Sequence, residues 1–233
     1  MHNNLVKIFY HILMIDLAED IWSLPLPFTL LGCNIGTTTT IVRSPAGVAL
    51  ISPGPLTDAN VREILDLGPV TLLIAPNKMH HLYLKEAITH FPEARVLLAP
   101  GLAEKRPDLA GHEALPQPLD SWGLEQKLIR GLPDLNETAF FHTPSGTLLL
   151  TDLAFHFPEH SHLPTRLFLF LNGALGRFGP TRMLKRVFLK ERELFQTDMD
   201  DVLRWPIRNV VVGHGQEILG DGLEKMREAF SAV

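Results

Sequence analysis

At 233 residues the chain is long enough for one large domain or two small ones, with a sizeable core. Its 45% hydrophobic and 20% charged content is ordinary for a soluble globular protein, and a formal net charge of −5 argues against a nucleic-acid partner. Cys33 is the only cysteine, which excludes an intrachain disulfide and a cysteine-rich zinc site, whereas eleven histidines supply metal ligands and acid–base groups.

The stretch LVKIFYHILMI (5–15) has Lys7 as its one internal basic flank, is interrupted by His11 and lacks a small-residue cleavage site after it. It is too short to span a bilayer and reads as a short buried strand or helix, with the cytoplasm as the expected location and no transmembrane segment. DIWSLPLPFTLLG, TTTTIVRS and GVALISPG then read as strands, with Ser44-Pro45-Ala46-Gly47 as a turn between two of them. A helix is expected from about Asp58, capped by that side chain and ended by Gly68. VTLLIA is a strand, and LYLKEAITHF a helix with Leu84, Ala87, Ile88 and Phe91 on one face. RVLLAP is another short strand. ETAFFH, the turn Thr143-Pro144-Ser145-Gly146 and TLLLTD form a hairpin. Residues 166–205 read as mainly helical, NVVVGHG as strand and DGLEKMREAF as a closing helix. With no repeat or linker, residues 1–233 are expected to form a single α/β domain whose mixed sheets pack inside helical layers.

Three apolar strands end in metal-capable side chains. VTLLIA leads to His80 and His81, TLLLT to Asp152, and NVVV to Gly213-His214-Gly215. Ligand sites in α/β sheets gather beyond the carboxyl ends of strands, and imidazoles with one carboxylate suit a first-row divalent metal. The flanking glycines let backbone approach His214 closely. Each residue also has a plainer reading: a hydrogen-bonded histidine after a strand, or an aspartate serving a turn. The two-histidine, one-carboxylate set also matches non-haem iron sites, so metal identity stays open, with zinc first, iron or manganese as alternatives, and no metal as a further one.

The motif order, with ISPG, the His-rich strand-to-helix loop, TDLAF and a final VVGHG, resembles the metallo-β-lactamase fold superfamily over about Ile21 to Glu217. The resemblance implies an αββα sandwich of two mixed sheets with outer helices. The family's His-x-His-x-Asp-His loop is reduced here. With its last histidine on His81, the first two ligands fall on Pro76 and Lys78 and the aspartate on His80. The family's Pro-Gly-His loop falls near Leu132-Pro133-Asp134. The resemblance therefore implies loss of the three-histidine site and retention of a second one, with His81, Asp152, His214 and His80 as the expected ligands.

These features predict a metal-dependent hydrolase-like protein with a reduced, mononuclear site, acting on a small-molecule substrate that the sequence does not identify. His80 or Asp134 is expected to move the proton. The competing expectation is a non-catalytic binding protein that has kept the fold and lost its metals. Lys78 is expected to be a solvated lysine or, in the vacated site, a substitute charge for an anionic group. His156, His160 and His162 read as a polar loop or a metal-binding tract. Residues 166–190 hold six basic residues and no acids, and 191–201 hold five acids and one arginine. They read as solvated amphipathic helices or, with 166–205 as an insertion, as a lid whose cations attract an anionic substrate or a membrane surface. Oligomeric state is left open.

Overall fold

Hydrophobic strand patterning builds the first sheet in a computed structural model, which describes residues 14–160 and 162–231. The N-terminal element expected at 5–15 lies outside the described residues except for its last two positions. In chain order come β1 (Ile15–Ala18), β2 (Ile21–Leu26), a small hairpin of β3 (Thr29–Leu30) and β4 (Cys33–Asn34), β5 (Thr37–Ser44) and β6 (Gly47–Ile51). Helix α1 (Asp58–Leu67), β7 (Val70–Ala75), α2 (Leu84–His90), β8 (Arg95–Leu98), a single turn α3 (Leu102–Lys105) and β9 (Glu113–Ala114) follow. The sheet order is β1-β2-β5-β6-β7-β8-β9, antiparallel as far as β6 and parallel from there on. β7 is covered on both faces, as its near-continuous apolar run requires.

The start of α1 corrects the expected cap. Thr57 holds that role: its hydroxyl accepts from the Asn60 amide at 3.2 Å, and the Asn60 side chain accepts from the Thr57 amide at 3.1 Å. This reciprocal box satisfies two orphan donors, which leaves Asp58 in the first turn, where its charge suits the helix dipole.

The second half contains β10 (Leu124–Leu128), β11 (Thr138–His142), β12 (Thr147–Leu149), β13 (Phe155–Phe157) and α4 (Leu163–Asn172). It continues through β14 (Arg177–Gly179), a π-helical turn at Leu184–Phe188, α5 (Arg192–Val202), β15 (Asn209–Val211), β16 (His214–Gly215) and α6 (Gly222–Phe230). β10-β11-β12-β15 form one sheet, with β12 and β15 parallel, and β14-β13-β16 form a smaller one. The expected β11–β12 hairpin is present. Residues 166–205 are more varied than the expected helical reading, since β14 pairs with β13 between α4 and α5.

Alternation of side chains divides the core into layers. Ile21, Val42, Leu72 and Ile74 of the first sheet meet Phe140, Leu149 and Val211 of the second. The other face of the first sheet packs on Ile64 of α1 and Leu84 and Ala87 of α2. The outer face of the second sheet packs on Phe195 and Met199 of α5 and Met226 and Phe230 of α6. The result is the expected αββα sandwich. Among the described residues no helix is long and apolar enough to cross a membrane.

One buried carboxylate fastens α5 to the second sheet. Asp198 is fully buried and accepts from the backbone amide, Nε and Nη2 of Arg130, each at 2.8 Å, and from Lys127 Nζ at 3.0 Å. Burial pushes its carboxyl up, but the hydrogen bonds from Arg130 and Lys127 outweigh this and hold the pKa down at about 2. A free aspartate ionises near pH ~3.9, so this stabilisation is present above that pH and lost as pH falls through the folded value. Asp198→Asn should lower unfolding free energy at neutral pH by roughly 2 kcal/mol and weaken the pH dependence of stability below about pH 4. Denaturant unfolding across that range checks this, and an unchanged midpoint and acid slope would rule the anchor out.

Candidate metal centre

The ends of β7, β12 and β15 converge. The loop after β7 presents His80, the residues after β12 present Asp152, and β16 presents His214, with one ligand atom from each lying within 4.8 Å of the others. His80 Nε2 is 3.4 Å from Asp152 Oδ2, and His214 Nε2 is 3.5 Å from Asp152 Oδ1. Direct hydrogen bonds are usually shorter than this. Two donors held tetrahedrally by one ion at about 2.1 Å would lie roughly 3.4 Å apart, and each histidine stands at about that distance from a different Asp152 oxygen.

Each side chain of the cluster is held from behind. His214 Nδ1 lies 2.7 Å from the Gly36 carbonyl, which can only accept, so Nδ1 carries a proton and Nε2 is the atom turned toward the cluster. The Phe155 ring, 4.8 Å from the His214 ring between centroids, packs against it. His80 Nδ1 is 2.6 Å from Ser52 Oγ. Asn77 Nδ2 donates to Asp152 Oδ2 at 2.8 Å, Thr151 Oγ1 at 2.9 Å and Glu137 Oε2 at 3.1 Å. Its Oδ1 accepts from the Met79 and His80 amides, both at 2.7 Å. Glu137, fully buried, also accepts from the Thr151 and Asp152 amides at 2.7 and 2.8 Å.

The electrostatics are those of a site that calls for positive charge. Burial opposes ionisation of Asp152, yet His80 and His214 outweigh it and hold the carboxyl well below the usual range. Burial likewise works against a charged His80, but Asp152, with help from Glu137, raises its pKa overall. Burial and the Asp152 charge push the Glu137 carboxyl up.

The structure brings together three of the four expected ligands. His81 turns away: its Nδ1 accepts from Arg106 Nη1 at 2.8 Å, and burial together with Arg106 and Lys105 lowers its pKa. Adjacent side chains in the turn point in different directions, and His80 is the one that faces Asp152. Asp134, expected as a proton carrier, is exposed, and its neighbour Leu135 lines the pocket instead. Lys78 points out of the site and donates to the Pro133 carbonyl at 2.9 Å. His156 Nδ1 lies 2.7 Å from the Gln216 carbonyl, and His162 Nδ1 lies 2.8 Å from Thr165 Oγ1. Neither these two nor His160 joins the group.

Sequence reasoning missed Ser52, Asn77 and Glu137. Ser52 sits in the ISPG turn already noted and has a left-handed φ of 57°, which non-glycine residues adopt uncommonly. Asn77 and Glu137 carry no such signal, since polar residues beside turns ordinarily face solvent.

A cavity of about 230 Å³ opens onto the cluster. Its walls are mostly apolar and include Phe28, Ile35, Phe155, Phe168, Leu184 and Phe188, while His81 and Lys105 contribute polar groups. Residues 166–190 thus form part of its rim through Phe168, Met183 and Phe188.

Solved structures share this architecture. A metallo-β-lactamase from Pontibacter korlensis superposes with a TM-score of 0.63 at 14% identity, over 94% of this chain and 99% of that one. One from Hirschia baltica gives 0.63 at 11% identity over 92% and 95%, and one from Erythrobacter litoralis 0.59 at 10% over 94% and 92%. No family model matches the sequence, and no curated protein matches it significantly. The chain therefore has the metallo-β-lactamase fold, as the sequence motifs led us to expect. At these identities the likeness establishes architecture, and activity has to be argued from the site.

Close backbone approach is built into the cluster at Gly213. A Cβ there would lie 2.7 Å from His80 Cε1 and 3.0 Å from the Thr151 Cα. Gly213→Ala should displace the His80 ring and cost about 1–3 kcal/mol of stability. Denaturant midpoints and the imidazole NMR signals of His80 read both effects; no change in either would mean that the contact relaxes freely.

Proposed function

We propose that the chain is a metal-dependent, hydrolase-like protein with a mononuclear site held by His80, Asp152 and His214. The observation that supports this most is the His–carboxylate–His group itself, with Nε2 of His214 turned inward by the Gly36 carbonyl and the Asp152 carboxylate held by Asn77. Zinc suits two imidazoles and a carboxylate best, with iron or manganese as alternatives. When bound, the cation supplies Lewis acidity, polarising a substrate oxygen and making hydroxide accessible near neutral pH.

The chain's own residues supply position and exclusion. Ser52 Oγ is hydrogen-bonded to His80 Nδ1 at 2.6 Å and restrains the rotation of that ring. The apolar cavity walls exclude water and accept the apolar part of a small-molecule substrate. Lys105 Nζ, at the rim, donates to the Lys78 carbonyl at 2.6 Å and is placed to meet an anionic group. Ligand supply favours a single metal. Among the described residues no other group of three ligands converges, Pro76 has no donor to offer, and the Asn77 amide nitrogen is occupied by three oxygens.

Elemental analysis of untagged protein should give at most one metal per chain. Asp152→Ala or His214→Ala should abolish uptake, because two remaining ligands hold a divalent ion poorly. His112→Ala, an exposed histidine away from the site, should leave uptake unchanged. Two metals per chain, or full occupancy in His214→Ala, would overturn the proposal. Folded protein that takes up no zinc, iron or manganese would favour the competing reading, a binding protein on this fold, for which the apolar cavity is the supporting observation.

A further inference from the structure

We propose that the rim of the cavity, centred on α4, docks on an anionic lipid surface. Helix α4 is apolar on two faces. Thr165 and Leu169 are buried, and Phe168 reaches the cavity. Leu163, Leu167, Phe170 and Leu171, at i, i+4, i+7 and i+8, share the opposite face and are all exposed. A helix of a water-soluble domain ordinarily turns polar residues to that side.

The apolar surface continues beyond the helix. The β3–β4 hairpin is pinned to the first turn of α4 by a 2.8 Å hydrogen bond from the Asn34 amide to Thr165 Oγ1. Its tip, Leu31, is 96% exposed. Leu30, Met79, Leu82 and Met183 line the cavity and are themselves exposed, so its mouth opens within one apolar rim. Contiguous apolar surface of this kind marks an interaction site.

Charge selects the occupant. Arg166, Arg177, Arg182, Lys185, Arg186 and Lys190 lie in or just after α4, in a segment without a single acid. Among the described residues none of the six forms an ion pair, although cations elsewhere in the chain do. Burial, Arg177 and Arg192 together push the Lys185 pKa down, as expected in an uncompensated positive field. Arg177 and Arg182 donate to the Gly173 and Leu171 carbonyls at the end of α4, which keeps their charge beside the apolar face. Exposed leucine and phenylalanine flanked by arginine and lysine is the pattern of a segment lying in a headgroup interface. A second copy of this chain fits worse, because a two-fold interface here would bring the same six cations face to face. The docking stands on this surface alone and does not depend on metal at the His80 cluster.

Co-sedimentation tests it, using full-length protein with vesicles of phosphatidylcholine alone and of equal parts phosphatidylcholine and phosphatidylglycerol. The protein should sediment with the anionic vesicles and be released by high salt. Leu167→Ser/Phe170→Ser should weaken partitioning by at least about tenfold. Arg166→Gln/Arg186→Gln should weaken it roughly tenfold on anionic vesicles only. Leu31→Ser, at the hairpin tip, provides a second apolar variant outside the helix and should also weaken it. All these side chains are exposed, and thermal melts confirm that the variants fold. Failure to sediment with anionic vesicles, equal binding to both vesicle types, or binding that none of the variants alters would overturn the proposal. So would a soluble oligomer that Leu167→Ser/Phe170→Ser dissociates, because that would make a second copy the occupant.

Discussion

The side-chain amide of Asn77 holds together two parts of the molecule that share no strand pairing. It projects from the loop after β7, in the first sheet, and donates across the sandwich to Asp152, Thr151 and Glu137 beside the ends of β11 and β12 in the second. An amide nitrogen has two hydrogens and here faces three acceptors, so one hydrogen is shared. Its carbonyl oxygen simultaneously folds the loop back by accepting from the Met79 and His80 amides. Asn77 therefore helps set His80 against Asp152, flanked by two backbone hydrogen bonds at 2.9 Å, Thr138 amide to Pro76 carbonyl and Lys78 amide to Leu135 carbonyl, and supported by a buried glutamate. A buried carboxylate is tolerated only with its lone pairs satisfied, and Glu137 meets that condition through two backbone amides and Asn77.

This arrangement explains how the site can be small and still ordered. The carboxylate that carries the charge is oriented by an amide, and each imidazole is oriented through its Nδ1, one by a hydroxyl and the other by a carbonyl. Gly213 lets the β15–β16 connection pass against the His80 ring, and Gly215, whose Cβ would collide with the His156 carbonyl, lets β16 lie flush on β13. The loop that bears Asp134 contributes Leu135 to the cavity wall, which leaves that side apolar.

The parts of this structure that could be read from sequence are those where hydrophobic pattern and turn chemistry agree. β7, the β11–β12 hairpin and α6 follow from apolar runs bounded by glycine and proline, and the convergence on Asp152 and His214 follows from where those runs stop. The choice between His80 and His81 was not legible, because neighbours in a turn have no periodicity to say which faces inward, and Arg106, which claims His81, lies 25 residues away. Asn77 and Glu137 were missed because their burial depends on partners distant in sequence, 60 to 75 residues away for Asn77 and 14 to 60 for Glu137. β14 was hidden in a glycine-rich segment whose pairing partner, β13, gives it the extended form.

The small third sheet joins the cavity rim to the His80–Asp152–His214 cluster. β13 has two neighbours: β14, inside the basic segment, and β16, which carries His214. Phe155 is paired with Gly179 on one side and with His214 on the other. Traction applied to β14 therefore has a single strand to cross before it reaches an imidazole of the cluster. Backbone hydrogen bonds, which yield little along their length, would carry it there. The basic segment and His214 are thus separated by the width of one strand and lie on a path that avoids the packed core.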